Sequence, residues 1–229
     1  MIRGFLRQTP YFAALADADL ARVAGRFGER RFARGDVLFL EGEPALWAGI
    51  VQTGQVKLVK SSDAGKDLVL EVLSPGRFVG VESLLRGQVH VATGQAMEDS
   101  SILAIAYEDF MPLLADYPEM TRALAEELTG RLEDAYRMMR SLALERVERR
   151  VALNLVKLAG KLGVAGAKGS ILIDLPLSRQ DLADMSGTTI ETAIRTMSKF
   201  QKDGLVESEE GKVRLLKPHR LVMLSEDLL

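Results

Sequence analysis

The sequence has no cysteine among its 229 residues. This absence excludes disulfides, thiolate zinc sites, cysteine nucleophiles and cysteine-ligated iron–sulfur clusters. The two histidines, His90 and His219, lie far apart, and neither has a partner at metal-ligand spacing, so we expect no metal site. We also find no nucleophile–base set and no phosphate-binding glycine loop, and we therefore predict that the chain is not an enzyme.

Long hydrophobic runs are absent as well. No stretch reaches the roughly 18 uninterrupted apolar residues that a membrane span requires, and the N-terminal residues lack the apolar core of a signal peptide. With 47% hydrophobic and 27% charged residues, the composition is typical of a globular protein, for which we expect a cytoplasmic location and no membrane partner. The net charge of −2 does not indicate nucleic-acid binding, so any DNA contact must come from a local surface.

The first half of the chain carries short apolar runs separated by turns that contain glycine. The runs are Val37–Leu40, Gly49–Val51, Val56–Val59, Leu68–Leu70 and Ile102–Ile105. Short strands at regular spacing indicate an antiparallel sandwich or roll. Asp63–Lys66 is predicted to be a hairpin tip, in which Gly65 supplies a positive φ.

A long amphipathic helix is predicted from Glu119 to about Leu144, with Pro118 in its first turn. Its apolar stripe comprises Met120, Leu124, Leu128, Leu132, Ala135, Met139 and Leu142. We expect the same helix of a second subunit to cover this stripe as a coiled coil. The alternative is that the stripe packs only on the β-roll of its own chain. A second helix, over residues 145–162, and a glycine- and alanine-rich loop over 163–169 are predicted next.

Two short capped helices are predicted within residues 175–218. Ser178–Asp181 has the form of a capping box, and Ser186–Gly187 supplies a tight turn. Thr188 with Glu191 forms a second capping pattern, which begins a helix that Gly204 ends. Two helices joined by a glycine turn form a helix-turn-helix, and the hairpin predicted over residues 205–216 is then a wing.

The second of these helices has an apolar face and a polar face. The apolar face suits a core and comprises Ala193, Met197 and Phe200. The polar face can point into a DNA groove and comprises Thr188, Glu191, Arg195 and Lys199. Glutamate can accept from cytosine N4 and arginine can donate twice to guanine, and Glu191 and Arg195, one turn apart, could also orient each other. Ile190 and Ile194 fit either contact with a thymine methyl or burial in the core.

One feature of the composition opposes DNA binding. Residues 174–217 contain seven Lys or Arg and eight Asp or Glu, so this segment is not basic overall. Either the acidic residues lie away from the groove, or the affinity depends on dimerisation.

The segment from Leu177 to Val206 resembles the DNA-binding helices of the Crp/Fnr superfamily of bacterial regulators. The Glu-Thr-x-x-Arg core of that superfamily falls on Glu191, Thr192 and Arg195, which the resemblance implies are the base-reading residues. Further matches cover nearly the whole chain: Gly35-Asp36, Gly54, Pro75-Gly76 and Phe78-Val79-Gly80 in the β-roll, and Val147-x-x-Arg150-Val151-Ala152 after the long helix.

The resemblance implies an α+β fold in three parts. These are an N-terminal antiparallel β-roll of the cyclic-nucleotide-binding type as sensor (residues 1–112), a long dimerisation helix (113–144) and a C-terminal winged helix-turn-helix that binds DNA (145–229). It also implies a homodimer on palindromic double-stranded DNA, with RNA polymerase as a further partner. The expected DNA-binding residues are Ser178, Arg179, Thr188, Thr189, Ile190, Glu191, Thr192, Arg195 and Lys199.

The candidate effector pocket departs from that of cAMP-binding members. Those members hold the ribose with a Gly-Glu pair, whereas here Gly80 is followed by Val81 and Glu82 is displaced by one residue. Their Arg-Ser pair for the cyclic phosphate falls on His90 and Val91. A buried phosphodiester without arginine loses a charge-assisted partner worth about 1.5–3 kcal/mol per contact.

The pair that touches adenine in those members falls on Ala135-Tyr136, a third departure, so we do not expect cAMP to be the effector. The candidate pocket residues are Gly80, Glu82, Ser83, His90, Val91, Ala92 and Tyr136.

Three alternatives stay open. Residues 90–96 and 65–72 resemble the cysteine-free branch that regulates nitrate respiration, thought to sense nitric oxide through haem, so His90 could hold a haem in a gas sensor. Otherwise His90 is structural or solvated, and the chain responds to another small ligand or to none. An alternative of a different class is a cyclic-nucleotide-type sensor subunit with no direct DNA function.

Overall fold

A computed structural model describes residues 2–226 and divides the chain into two compact units. The first comprises the residues up to Lys60 together with Glu71–Ala135, and the second comprises Ser61–Leu70 together with the residues from Tyr136 onward. Helices and antiparallel sheets occur in both units, which confirms the predicted α+β class. Within the described residues no helix combines the length and the apolar character needed to cross a bilayer.

The first part of the chain contains the predicted β-roll. Its strands are β1 (Gly28–Phe32), β2 (Val37–Phe39), β3 (Trp47–Thr53), β4 (Val56–Ser61), β5 (Asp67–Leu73), β6 (Phe78–Val79), β7 (Thr93–Ala96) and β8 (Ser100–Ala106). Its helices, together with the long helix that follows, are α1 (Ile2–Arg7), α2 (Asp17–Ala24), α3 (Val81–Leu85), α4 (Tyr107–Asp116) and α5 (Pro118–Leu144).

Two four-stranded sheets form the roll, in the orders β1-β8-β3-β6 and β2-β7-β4-β5. The five predicted apolar runs all contribute to strands, which confirms those predictions. The strands β1, β6 and β7 were not predicted, because none of them carries a long apolar run; β1 (Gly-Glu-Arg-Arg-Phe) is mostly exposed. Gly49 of β3 lies opposite Ala104 of β8, where an added Cβ would come within 2.4 Å of the Ile102 side chain. Close strand packing therefore requires glycine here.

The predicted hairpin tip is confirmed. Gly65 has a φ of +71°, and the Ser62 amide donates to the Lys66 carbonyl at 2.9 Å. The positive φ is a conformation that glycine adopts without the cost other residues incur.

The long helix α5 begins at Pro118 and ends at Leu144, as predicted. Its N-terminal half packs on the β-roll, where Met120 and Leu124 are buried in the core. Farther along, Leu132, Tyr136 and Met139 are 50%, 58% and 55% exposed. The predicted alternative of packing on the chain's own roll is therefore confirmed for the first half of the stripe, and the partner helix stays a prediction for the second half.

The remaining elements are α6 (Val147–Leu162), β9 (Gly163–Ala165), a 3₁₀ turn (Ala167–Gly169), β10 (Ile171–Ile173), α7 (Arg179–Met185), α8 (Ile190–Lys202), β11 (Val206–Glu209), β12 (Lys212–Leu215) and α9 (Pro218–Glu226). The strands form one sheet in the order β11-β12-β10-β9. The prediction of a loop over residues 163–169 is wrong for β9, which pairs with β10 from Gly163↔Ile173 to Ala165↔Ile171. Its composition is poor in strand formers, and the partner strand supplies the order that the local sequence does not.

Candidate DNA interface

Helix α7 begins with the predicted capping box. The Ser178 hydroxyl accepts from the Asp181 amide at 3.0 Å, and the Asp181 carboxylate accepts from the Ser178 amide at 3.1 Å. Leu182 and Met185 are buried, as predicted. The box satisfies two backbone donors that the first turn of a helix leaves without partners, and so fixes where α7 begins.

Helix α8 begins one residue later than its capping pattern predicts. The N-cap is Thr189, whose hydroxyl accepts from the Thr192 amide at 3.3 Å, so the prediction of Thr188 as the cap is wrong. Thr188 instead belongs to the turn, where its amide donates to the Ala183 carbonyl at 3.0 Å. Thr188 is therefore part of the turn between α7 and α8, and the next threonine, Thr189, is the N-cap of α8.

The two faces of α8 are confirmed. Ala193, Met197 and Phe200 are fully buried, whereas Glu191, Arg195 and Lys199 are exposed. Ile190 and Ile194 are 36% and 45% exposed, so the alternative of burial in the core is wrong for both. The face opposite the core thus carries polar and apolar groups together, as a surface that reads base edges and thymine methyl groups requires.

Glu191 and Arg195 are each held by a threonine and not by one another. The Arg195 guanidinium donates to the Thr192 hydroxyl at 3.3 Å, and among residues 2–226 it has no carboxylate partner. Hydrogen bonds from the Glu191 amide and the Thr189 hydroxyl lower the pKa of the Glu191 carboxyl. The predicted mutual orientation of Glu191 and Arg195 is therefore wrong, and both charges stay available to a ligand.

Lys199, in contrast, is already engaged. Its ammonium donates to both carboxylate oxygens of Glu148, at 2.8 and 2.9 Å. This contact joins α8 to the first turn of α6 and raises the pKa of the Lys199 ammonium.

The wing is the β11–β12 hairpin, as predicted, with β12 also paired to β10. Ser208 of β11 accepts from the Arg179 guanidinium at 2.8 Å and from the Gln201 amide at 3.0 Å. These bonds tie α7, α8 and the wing together. Burial lowers the pKa of the Arg179 guanidinium.

The cations of the wing have carboxylate partners close by. Lys212 lies 2.5 Å from Asp174, and Arg214 pairs with Glu207 at 3.2 Å and with Glu209 at 2.5 Å. Three acidic residues of this segment, Asp174, Glu207 and Glu209, therefore pair with cations of the wing. The Arg195 guanidinium has no carboxylate partner among the described residues.

The predicted effector residues near His90 form a packed structure. The His90 imidazole is 2% exposed and stacks on Phe39 with a centroid distance of 3.8 Å and an interplanar angle of 10°. Ser83 is buried and its hydroxyl accepts from the Val91 amide at 3.2 Å. Gly80, with a φ of +76°, caps α3, and an added Cβ there would lie 3.2 Å from His90. Of the remaining predicted residues, Ala92 is buried, Val91 is 43% exposed, and Tyr136 belongs to the second unit and is 58% exposed.

This arrangement does not fit a haem ligated by His90. One face of the ring lies against Phe39 and the side chain has almost no exposed surface, so no nitrogen is presented to an iron atom. Burial also lowers the pKa of the imidazole, and Nδ1 has no hydrogen-bond partner among the described residues.

A cluster of charged side chains between α5 and the β-roll was not predicted from the sequence. The Arg131 guanidinium lies 3.1 Å from Glu127, 3.7 Å from Glu71 and 3.6 Å from Glu82, and it also contacts the Phe78 carbonyl. The Glu127 side chain is 3% exposed, and burial raises the pKa of its carboxyl. Glu127 comes seven residues after Met120 and three after Leu124, so a charge at a core position of the stripe was the sequence feature that could have revealed it.

Comparison with known proteins identifies the family of this chain. A family model for the cyclic nucleotide-binding domain matches residues 29–117, and one for the Crp-like helix-turn-helix domain matches residues 149–224. The chain belongs to the Crp/Fnr family.

Relatives within the family respond to different molecules. The cyclic AMP receptor protein of Thermus thermophilus is 28% identical over 92% of this chain and 94% of its own length. The solved structure of the c-di-GMP responsive regulator CLP of Xanthomonas campestris is 26% identical, with a TM-score of 0.77 over 88% of this chain and 100% of the other. FixK2 of Bradyrhizobium japonicum is 25% identical, also with a TM-score of 0.77, over 89% and 99%. A Crp/Fnr chain is a transcription regulator with a DNA-binding domain, and the alternative of a sensor subunit without DNA function is therefore set aside.

Proposed function

We propose that this Crp/Fnr regulator reads a palindromic DNA site as a homodimer, with Glu191 and Arg195 contacting base edges. The observation that carries the proposal is the surface of α8, where both side chains are exposed, are oriented by threonines and lie opposite a fully buried face. A helix presented in this way fits the major groove, where arginine recognises guanine and glutamate recognises cytosine.

Other predicted residues would fix the helix on the DNA backbone. Hydroxyl and amide groups at the start of α7 and α8 are suited to phosphate, because helix N-termini favour anions. We assign this role to Ser178, Arg179, Thr188 and Thr189, base reading beside Glu191 and Arg195 to Thr192, and contact with a thymine methyl to Ile190. Lys199 lies on the same helix, but its ammonium is engaged by Glu148.

The dimer is proposed from α5. Leu132, Tyr136 and Met139 leave an apolar stripe half exposed along the C-terminal half of the helix, and a second copy of α5 would cover it as a coiled coil. Two copies would place two recognition helices on half-sites about one helical turn apart. We accordingly assign residues 1–112 to the sensor, 113–144 to dimerisation and 145–229 to DNA binding. We also propose that the regulator acts in the cytoplasm, with RNA polymerase as a partner.

We propose further that cAMP is not the effector. The site of the phosphate-binding pair is taken by His90, whose ring packs on Phe39, and by Val91. Arg131, which contacts the candidate pocket residue Glu82, is surrounded by three carboxylates. Titration calorimetry with cAMP should therefore give no saturable heat at ligand concentrations up to the millimolar range, and saturable binding would contradict this part of the proposal.

The test of the main proposal is binding to a palindromic Crp/Fnr-type duplex and to a scrambled duplex, followed by fluorescence anisotropy. Arg195→Ala should weaken binding to the palindrome by about 1–3 kcal/mol and relax preference at one base pair. An equal loss on both duplexes would mean that Arg195 contacts phosphate, and equal wild-type affinity for both would refute sequence-specific reading.

A further inference from the structure

Lys199 and Glu148 form an ion pair between the recognition helix and the start of α6. Both carboxylate oxygens accept from the one ammonium, at 2.8 and 2.9 Å, and the two side chains are 56% and 38% exposed. An exposed pair of this kind contributes little to folding, because water solvates both charges and holding two long side chains costs entropy. The pair matters because the Glu148 carboxylate compensates the positive charge of the Lys199 ammonium.

The contrast with Arg195 shows this consequence. Both cations lie on α8, one turn apart. Of these two, only Lys199 has a carboxylate partner within the described residues. Phosphate contacts made by lysine and arginine supply the sequence-independent part of DNA affinity, whereas arginine on a base edge supplies specificity. On this helix Arg195, which is suited to base reading, has no carboxylate partner among the described residues. Lys199, which is suited to phosphate contact, is paired with Glu148.

We propose that Glu148 is a positioning residue that holds Lys199 off the phosphate backbone and so lowers the sequence-independent affinity of the protein for DNA. This rests on the proposed function, since it requires that α8 face DNA. The carboxylate acts twice: it neutralises the ammonium, and it places a negative charge beside the helix where a phosphate would approach.

The test uses the full-length protein and a random-sequence 40-base-pair duplex, with anisotropy titrations between 50 and 200 mM KCl. Glu148→Gln keeps the shape of the side chain and removes its charge. It should bind more tightly than the wild type, and its plot of log K against log salt should be steeper by about 0.9, the slope of one additional phosphate contact. The affinity ratio between the two salt concentrations then grows by about 3.5-fold.

Two variants separate the proposed route from a general change in charge. Lys199→Gln should abolish the gain, so that the double variant with Glu148→Gln binds as Lys199→Gln alone does. Glu29→Gln removes an equivalent carboxylate from an exposed ion pair in the first unit, with Arg31 at 2.9 Å, and should leave DNA binding unchanged.

Several outcomes would overturn the inference. Wild-type affinity in Glu148→Gln, weaker binding by that variant, or a gain that persists without Lys199 would each show that Glu148 does not restrain Lys199. These outcomes leave the proposed function standing provided that the wild type binds the palindromic duplex. A wild type that fails to bind the palindromic duplex even at 50 mM KCl would overturn the proposed function and this inference together.

Discussion

At the scale of single residues, His90 is a buried group whose protonation affects the stability of the fold. Its imidazole is packed on Phe39 and its Nδ1 has no partner within residues 2–226, so a charge on the ring would be poorly solvated. Burial therefore lowers the pKa of His90 below the ordinary histidine value of about 6.5.

The direction of the resulting pH dependence follows. Below about pH 6.5 the unfolded chain binds a proton at His90 that the folded chain does not, so the free energy of unfolding falls as the pH falls toward the folded pKa. Above that range the effect vanishes. The melting temperature of the wild type should drop more between pH 7 and 5.5 than that of His90→Gln. His219→Gln, which removes the exposed histidine of α9, should keep the wild-type response. A His90→Gln profile parallel to the wild type would contradict this account.

Local sequence rules predicted some residues of the interface and failed at others. The capping box at Ser178 and the buried face of α8 were predictable, because each depends on spacing within a few residues. The cap of α8 fell on Thr189, because the turn after α7 includes Thr188 and the helix begins one residue later. The ion pair between Lys199 and Glu148 spans 51 residues of sequence, and no local pattern contains it.

At the scale of elements, α5 is fastened to the β-roll by charge as well as by apolar packing. Its Arg131 reaches Glu71 on β5 and Glu82 on α3, and its Glu127 lies 3.3 Å from Arg77. The cluster holds three carboxylates and two guanidinium groups, so removing Arg131 leaves three carboxylates, with Glu127 almost fully buried, beside Arg77 alone.

Arg131→Met should consequently destabilise the protein by about 3–5 kcal/mol, the usual cost of breaking a buried pair by removing one partner. The Arg131 side chain is only 11% exposed, so water screens little of this charge. Arg122→Met is the matched control, because Arg122 pairs with Glu126 at the same four-residue spacing on the same helix but is 76% exposed. It should cost less than about 1 kcal/mol in urea-induced unfolding. Equal losses for the two variants would mean that the cluster is effectively solvated.

The elements themselves were predicted unevenly. The strands with apolar runs were predictable from those runs and the long helix from its periodicity; each run overlaps an observed strand, and the helix ends at Leu144 as predicted. The strand β9 could not be predicted, because Gly163–Ala165 becomes a strand only through its pairing with β10. Likewise, sequence could not tell which half of the α5 stripe packs on the chain's own roll, since both halves carry the same pattern.

At the scale of the whole molecule, the proposed dimer depends on the exposed half of α5. Leu132 and Met139 are seven residues apart and half exposed, the spacing of equivalent positions in a coiled coil. Leu132→Glu with Met139→Glu should convert a micromolar dimer to a monomer in sedimentation velocity and weaken binding to the palindrome. Met223→Glu changes a similarly exposed methionine, 58% accessible on α9, and should remain dimeric. A wild type that stays monomeric even with palindromic DNA would show the dimer proposal to be wrong.

The carboxylates of the wing have a consequence beyond DNA affinity. Strand β11 lies at an open edge of its sheet, and Glu207 and Glu209 stand on it. An exposed edge strand can pair with a strand from another chain and begin aggregation, and charged side chains on the edge oppose such pairing. Replacing these two glutamates to make the domain more basic would therefore also remove the charges that oppose edge pairing, and so favour aggregation.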